Sequence, residues 1–215
     1  LTDADYNVAM GVSALGTDTL GSKSVAIGYS ALTAQNFTTA TDSFNTAVGY
    51  GAGVAVTTGT RSVLIGGLSG DALTTASRNS VLGYNALGAD TLGSRATAMG
   101  YGALQTQNFT TATDNYNVGI GYNAGGGITT GVRNTAIGSN SGDSLTDADY
   151  NVAVGYQALS ADTLGSRSTA VGYNALVTQN HTTAANTFNV AVGYSAGAGV
   201  TTGTLNTLVG GEAGS

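Results

Sequence analysis

The sequence predicts an all-β fold, a parallel β-roll or β-solenoid of twelve short coils, and three observations predict it. A 72-residue block is written three times, over 1-72, 73-144 and 145-215. Inside each block a phrase of the type N-V-A-V-G-Y returns four times, at spacings of 17, 21, 17 and 17. The twelve phrases begin at Asn7, Ser24, Asn45, Ser62, Asn79, Ala96, Asn117, Asn134, Asn151, Ser168, Asn189 and Asn206. Each phrase alternates like a strand, with a glycine where the alternation stops. A unit this short cannot bury a core alone, so stacked neighbours share one.

Composition sets the outer limits. Apolar residues make up 41% of the chain and recur at fixed positions, so a packed core is expected rather than disorder. There is no cysteine and no proline, so disulfides play no part in stability. The net charge is −6 with only six basic residues, which argues against a nucleic-acid partner. No apolar run approaches the ~18 residues of a membrane span, so direct membrane insertion is not expected. The chain opens on Leu1 without an initiator methionine and reads as one repeat domain, 1-215, cut from a longer fibre.

The coil can be taken residue by residue, with the first residue of each phrase as position 1. Position 5 is glycine in all twelve phrases, from Gly11 and Gly28 to Gly210, which signals a bend or a close approach that a Cβ would block. Position 4 is always aliphatic or Met, as in Met10, Ile27, Val48 and Leu82. Position 2 is Val or Thr apart from Ser80, and shares a strand face with position 4. With that face turned inward, each position-4 side chain contributes ~1.5–3 kcal/mol by burial. Position 3 then faces outward, yet it is alanine at Ala9, Ala26, Ala47, Ala98, Ala136, Ala153, Ala170 and Ala191 and never charged. A face of small apolar residues suits close approach to another surface, so these alanines are the expected contact between copies of the chain. A segment such as Tyr29–Leu32 or Tyr173–Leu176 follows and reads as a second short strand.

The phrases N-V-A-V-G, S-V-A-I-G at Ser24–Gly28 and N-T-A-I-G at Asn134–Gly138 resemble the head repeats of trimeric autotransporter adhesins. The longer form N-T-A-V-G-Y-x-A-L is similar to coils of trimeric bacteriophage tail fibres. The resemblance implies a left-handed β-roll, three chains packed about one axis, and the position-3 alanines near the inter-chain contact. It also implies an extracellular, cell-surface or virion location.

Partner sites are sought on the edges and loops. All six basic residues stand just before position 1, at Lys23, Arg61, Arg78, Arg95, Arg133 and Arg167, and Tyr6, Phe44, Tyr116, Tyr150, Phe188 and Leu205 hold that place elsewhere. Such a row can grip sugars or an anionic surface, or simply shield a coil edge. Eight tyrosines at position 6 form a second ladder, which cross-strand contact alone would explain. Asn recurs at position 1 and suits an amide ladder. The longer coils should protrude, offering Gln35, Asn36, Phe37, Gln107, Asn108, Phe109, Gln179, Asn180 and His181 to a receptor. His181 stands where the other blocks carry Phe37 and Phe109, and reads as surface variation.

Asp3-Ala4-Asp5 and Asp147-Ala148-Asp149 bring carboxylates together, but Thr75-Ala76-Ser77 replaces them in the middle block, so no metal site is expected. No catalytic constellation interrupts the repeat, so neither an enzyme nor a cofactor is expected. The expected function is attachment to a cell surface through a glycan or protein receptor by a self-associating fibre. The alternative is a rigid spacer or filament segment with recognition elsewhere. A lattice-binding single solenoid would use Thr57-Thr58, Thr129-Thr130 and Thr201-Thr202, which recur only once per block.

Overall fold

The computed structural model describes residues 4–215, which form an all-β parallel β-solenoid of about twelve turns with no helix among them. Two compact units divide the chain, one of residues 1–102 and 108–114, the other of 103–107 and 115–215. In the first unit β1 (Val8–Met10), β3 (Val25–Ile27), β5 (Thr46–Val48), β6 (Val63–Ile65), β7 (Ser80–Leu82) and β9 (Thr97–Met99) stack in that order. Short pairs at β2 (Gly21–Ser22) with β4 (Thr41–Asp42), and β8 (Gly93–Ser94) with β10 (Thr113–Asp114), close the other side. The second unit repeats the plan with β11 (Val118–Ile120), β12 (Thr135–Ile137), β13 (Val152–Val154), β15 (Thr169–Val171), β17 (Val190–Val192) and β18 (Thr207–Val209). Its short pair is β14 (Gly165–Ser166) with β16 (Ala185–Asn186).

Register is strict. Val25 pairs with Thr46, Thr46 with Val63 and Val63 with Ser80, so each phrase position stacks on itself. Position 1 enforces this wherever it is asparagine and the next phrase begins 17 residues on. Asn45 accepts the Ser62 N–H through Oδ1 and donates through Nδ2 to the Gly59 carbonyl; Asn134 does the same to Asn151 N and Ala148 O. Position 5 bends the chain at φ between 125° and 144°, and at Gly28, Gly49, Gly66 and Gly155, for example, a Cβ would drive into the next rung's glycine carbonyl. That is the close approach its invariance signalled.

The strand faces are inverted relative to the sequence expectation. Ala26, Ala47, Ala98, Ala136, Ala153, Ala170 and Ala191 point into the coil and are buried within their own chain. Ala9, in the first coil, is exposed. The buried alanines therefore cannot touch another copy. Positions 2 and 4 point outward instead, and Val63 keeps 41%, Leu82 47% and Met99 39% of its surface exposed. The reason is volume. The interior is already filled from the far side of the coil, where position 9 or position 12 supplies the bulk. A Cβ on Gly119, which takes the alanine place, would crowd the Leu104 side chain. Tyr29–Leu32 and Tyr173–Leu176 are turns rather than strands, with Ser30, Leu32, Asn174 and Leu176 in the left-handed region.

Positions 9 and 12 exchange roles by pairs of coils. Leu15 and Leu32 go with Asp18 and Gln35, whereas Gly53 and Gly70 go with Val56 and Leu73. The same swap recurs at Leu87, Leu104, Asp90 and Gln107 against Gly125, Gly142, Ile128 and Leu145. All of these leucines and polar side chains, with Val56, Leu73, Ile128 and Leu145, are buried.

Candidate functional site

The loop residues expected at a receptor are mostly inside. Gln35, Gln107 and Gln179 are fully buried, and Phe37, Phe109 and His181 nearly so. Gln35 bridges the longer coil in place of an asparagine. Its Nε2 donates to Asp18 Oδ2 at 2.6 Å and to Ser24 Oγ at 3.0 Å, and its Oε1 accepts from Asn45 Nδ2 at 2.9 Å. Gln179 makes the matching bonds to Asp162, Ser168 and Asn189. An uncharged carboxamide can give and take at once, which this junction needs. Asn36, Asn108 and Asn180 stay exposed, and accept from the hydroxyls of Thr19, Thr91 and Thr163. The residues that do project are Thr38, Thr39 and Ala40, with Thr110, Thr111, Ala112 and Thr182, Thr183, Ala184.

His181 is likewise no surface variation. Its backbone N–H donates to Asp162 Oδ1 at 2.9 Å, its Nε2 faces the Thr202 carbonyl at 3.3 Å, and its Nδ1 lies 3.7 Å from the Asp162 carboxylate, beyond hydrogen-bond reach. Asp162 also accepts the Gly165 N–H. Buried carboxylates of this kind are tolerable only when every oxygen is bonded. Asp71 and Asp143 at position 10 do less well: one oxygen of each is buried without a partner, and desolvation raises both pKa values above the ordinary carboxyl range.

Asp147 Oδ1 accepts from Thr130 Oγ1 and Asp149 Oδ1 from the Val132 N–H, so both carboxylates are engaged in the ladder. Asp3 lies outside the described residues. No cluster of three metal-ligating side chains and no pocket occurs among the described residues. Thr57 donates its hydroxyl to the Thr74 carbonyl of the next rung and Thr130 donates its own to Asp147, so these hydroxyls are already engaged within the chain.

Two side-chain ladders reach solvent. Tyr29 stacks on Tyr50 at 5.4 Å, Tyr84 on Tyr101 at 5.6 Å, and Tyr156, Tyr173 and Tyr194 stack in succession at 5.2 and 5.3 Å. Ring faces cover one another in these stacks, leaving edges and hydroxyls outward. The other ladder is the row before position 1, and every one of its twelve residues is left-handed, at φ between 51° and 68°. For non-glycine residues this conformation costs about 1 kcal/mol or more each. Within the row Lys23 pairs with Asp42 at 2.7 Å and lies over Phe44. Arg133 lies between Tyr116 and Tyr150, and Arg167 between Tyr150 and Phe188. Arg95 pairs with Asp114 at 2.8 Å.

Sequence reasoning missed the outward aliphatic face, although the signal was present: glycine at position 9 always accompanies an aliphatic position 12 wherever the coil is complete. No family model matches the chain, and no curated protein or solved structure matches it either.

Proposed function

We propose that the chain is a segment of an extracellular or virion fibre that self-associates, as a left-handed homotrimer, and contributes to attachment at a cell surface. The observation that carries this reading is the outer face of positions 2 and 4. It runs through each unit as rungs of Val, Thr, Ile, Leu and Met, interrupted by Ser80 and with no charged residue. A charge-free face of partly exposed aliphatics and threonines, with Val63, Leu82 and Met99 the most open in its middle, supports an interaction site. A second copy is its natural cover, because the same ladder spacing is available on every chain. Sharing that face among copies also leaves the Thr-Thr-Ala projections and the row before position 1 available for a receptor.

Sedimentation with light scattering tests the self-association, with a mass of three chains expected. Ile27→Lys with Ile65→Lys should give monomers that keep the β spectrum, since a charge trapped without a partner costs on the order of 3–5 kcal/mol. A monomeric wild type sinks the trimer. One observation favours the second reading, a rigid spacer: six of the nine loop side chains expected to meet a receptor are packed inside. Cell attachment unchanged after removal of Thr38–Ala40, Thr110–Ala112 and Thr182–Ala184, and after neutralising the basic row, would establish the spacer.

A further inference from the structure

We propose that Arg61, Arg78 and Arg95 form a binding site for a linear acidic polysaccharide bearing one carboxylate per sugar ring. This rests on the attachment reading and names the ligand class for it, without using the aliphatic face.

The placement comes from the ladder. Val63, Ser80 and Thr97 are register partners, so the arginines two residues before each occupy three successive rungs of the first unit. Their backbone N–H groups are tied to Ser43, Thr60 and Ser77 carbonyls of the preceding rungs, which fixes where each side chain leaves the coil. Parallel rungs step by about 4.8 Å. Other cations of the row have partners: Lys23 has Asp42 and Phe44, Arg133 has two tyrosines, and Arg167 has Asn186 and two rings. Arg61 and Arg78 are exposed, and their guanidinium groups meet neither acid nor ring among the described residues. Arg95, held by Asp114, ends the series.

Three arginines in adjacent rungs repel one another, and each sits in a backbone conformation that glycine or asparagine takes more easily. A chain with net charge −6 and only six basic residues nevertheless places half of them here. An external polyanion supplies the counter-charge that Arg61 and Arg78 lack, Arg95 having Asp114 beside it. The guanidinium fork matches a carboxylate in bidentate geometry. The long arginine side chains reach carboxylates carried on neighbouring rings of such a polymer. The half-exposed ring of Phe44, on the rung before Arg61, offers a sugar an apolar contact. Nucleic acid would require a wider basic footprint than this.

Calorimetric titration of the whole chain with tetragalacturonate, a neutral tetrasaccharide, tetra-aspartate and sodium sulfate tests the site. The uronate should bind best. The double variant Arg61→Gly/Arg78→Gly should weaken it by about tenfold, and should make the remaining binding less sensitive to added salt. Glycine accepts the left-handed backbone, so this variant keeps the fold, which a melting curve verifies. Equal binding of the neutral sugar, of tetra-aspartate or of sulfate at matched charge overturns the proposal, as does unchanged binding by the double variant. A chain that binds the uronate yet does not attach to cells supports the site and sinks the attachment reading alone.

Discussion

Coils of two kinds build the same cross-section from opposite materials. In the Leu15–Gln35 pair of coils, leucine at position 9 fills the interior and Asp18 and Gln35 at position 12 carry a buried polar relay. In the Gly53–Leu73 pair, glycine vacates that volume and Val56, Leu64 and Leu73 fill it from elsewhere. The phrase strands keep one register in both kinds, whereas the short second pairs (β2 with β4, β8 with β10, β14 with β16) occur only in the leucine-type coils. The interior is filled from different positions in the two kinds, with a hydrogen-bonded polar relay at position 12 in one pair and methyl groups there in the other.

The largest effect should come from mixing the two solutions. Gly70→Leu places a leucine where Leu64 and Leu73 already press close, in a backbone at φ 54°, and should destabilise by about 3 kcal/mol or more in urea unfolding. Adding Leu73→Gln should recover part of that loss; no recovery would mean the exchange is not a volume exchange. Next comes the polar relay. Asp162→Ala strips an acceptor from the Gly165 and His181 N–H groups and from Gln179 Nε2, and should cost about 3 kcal/mol. Asp162→Asn, which keeps Oδ1, should cost less, measured the same way.

A smaller change sharpens the comparison between blocks. His181→Phe restores the residue of the other two blocks and removes a buried Nδ1 that lacks a hydrogen bond. Melting should rise by the equivalent of up to about 1 kcal/mol. The smallest effect concerns Asp71 and Asp143, carried by the glycine-type coils at position 10. Their folded pKa values lie above the unfolded ones because burial penalises the charge. A raised carboxyl pKa means the folded state holds its proton more tightly. The contribution is fully present below the unfolded pKa and fades as pH rises through the folded one. Asp71→Asn/Asp143→Asn should therefore melt slightly above wild type near neutral pH, with the gap closing on acidification. A gap that widens below the ordinary carboxyl range would contradict this.

Much of this architecture was legible. Twelve phrases with invariant Gly at position 5 announced the rungs, and the residues Lys23 to Leu205 before position 1 announced a row. The inward face was not legible from alternation alone, because a two-residue period defines two faces without saying which is inside. Small alanines looked like an external contact because a core was expected to be bulky. The bulk lies nine and twelve positions into the coil, on turns whose left-handed leucines break the usual association of that conformation with glycine. Gln35 and Phe37 lie inside for a related reason: the longer loop projects just after them, at Thr38, Thr39 and Ala40, and not through them.

The pairing of coil types also governs how such a chain can change length. Gly53 leaves room for Leu32 of the coil before it, and Asn45 needs the carboxamide of Gln35 behind it and the Gly59 carbonyl ahead. Removing one coil would set unlike neighbours against each other; removing four returns every neighbour unchanged. Insertion or removal of a whole block therefore keeps every junction between coils, while any smaller step creates a junction the chain does not contain.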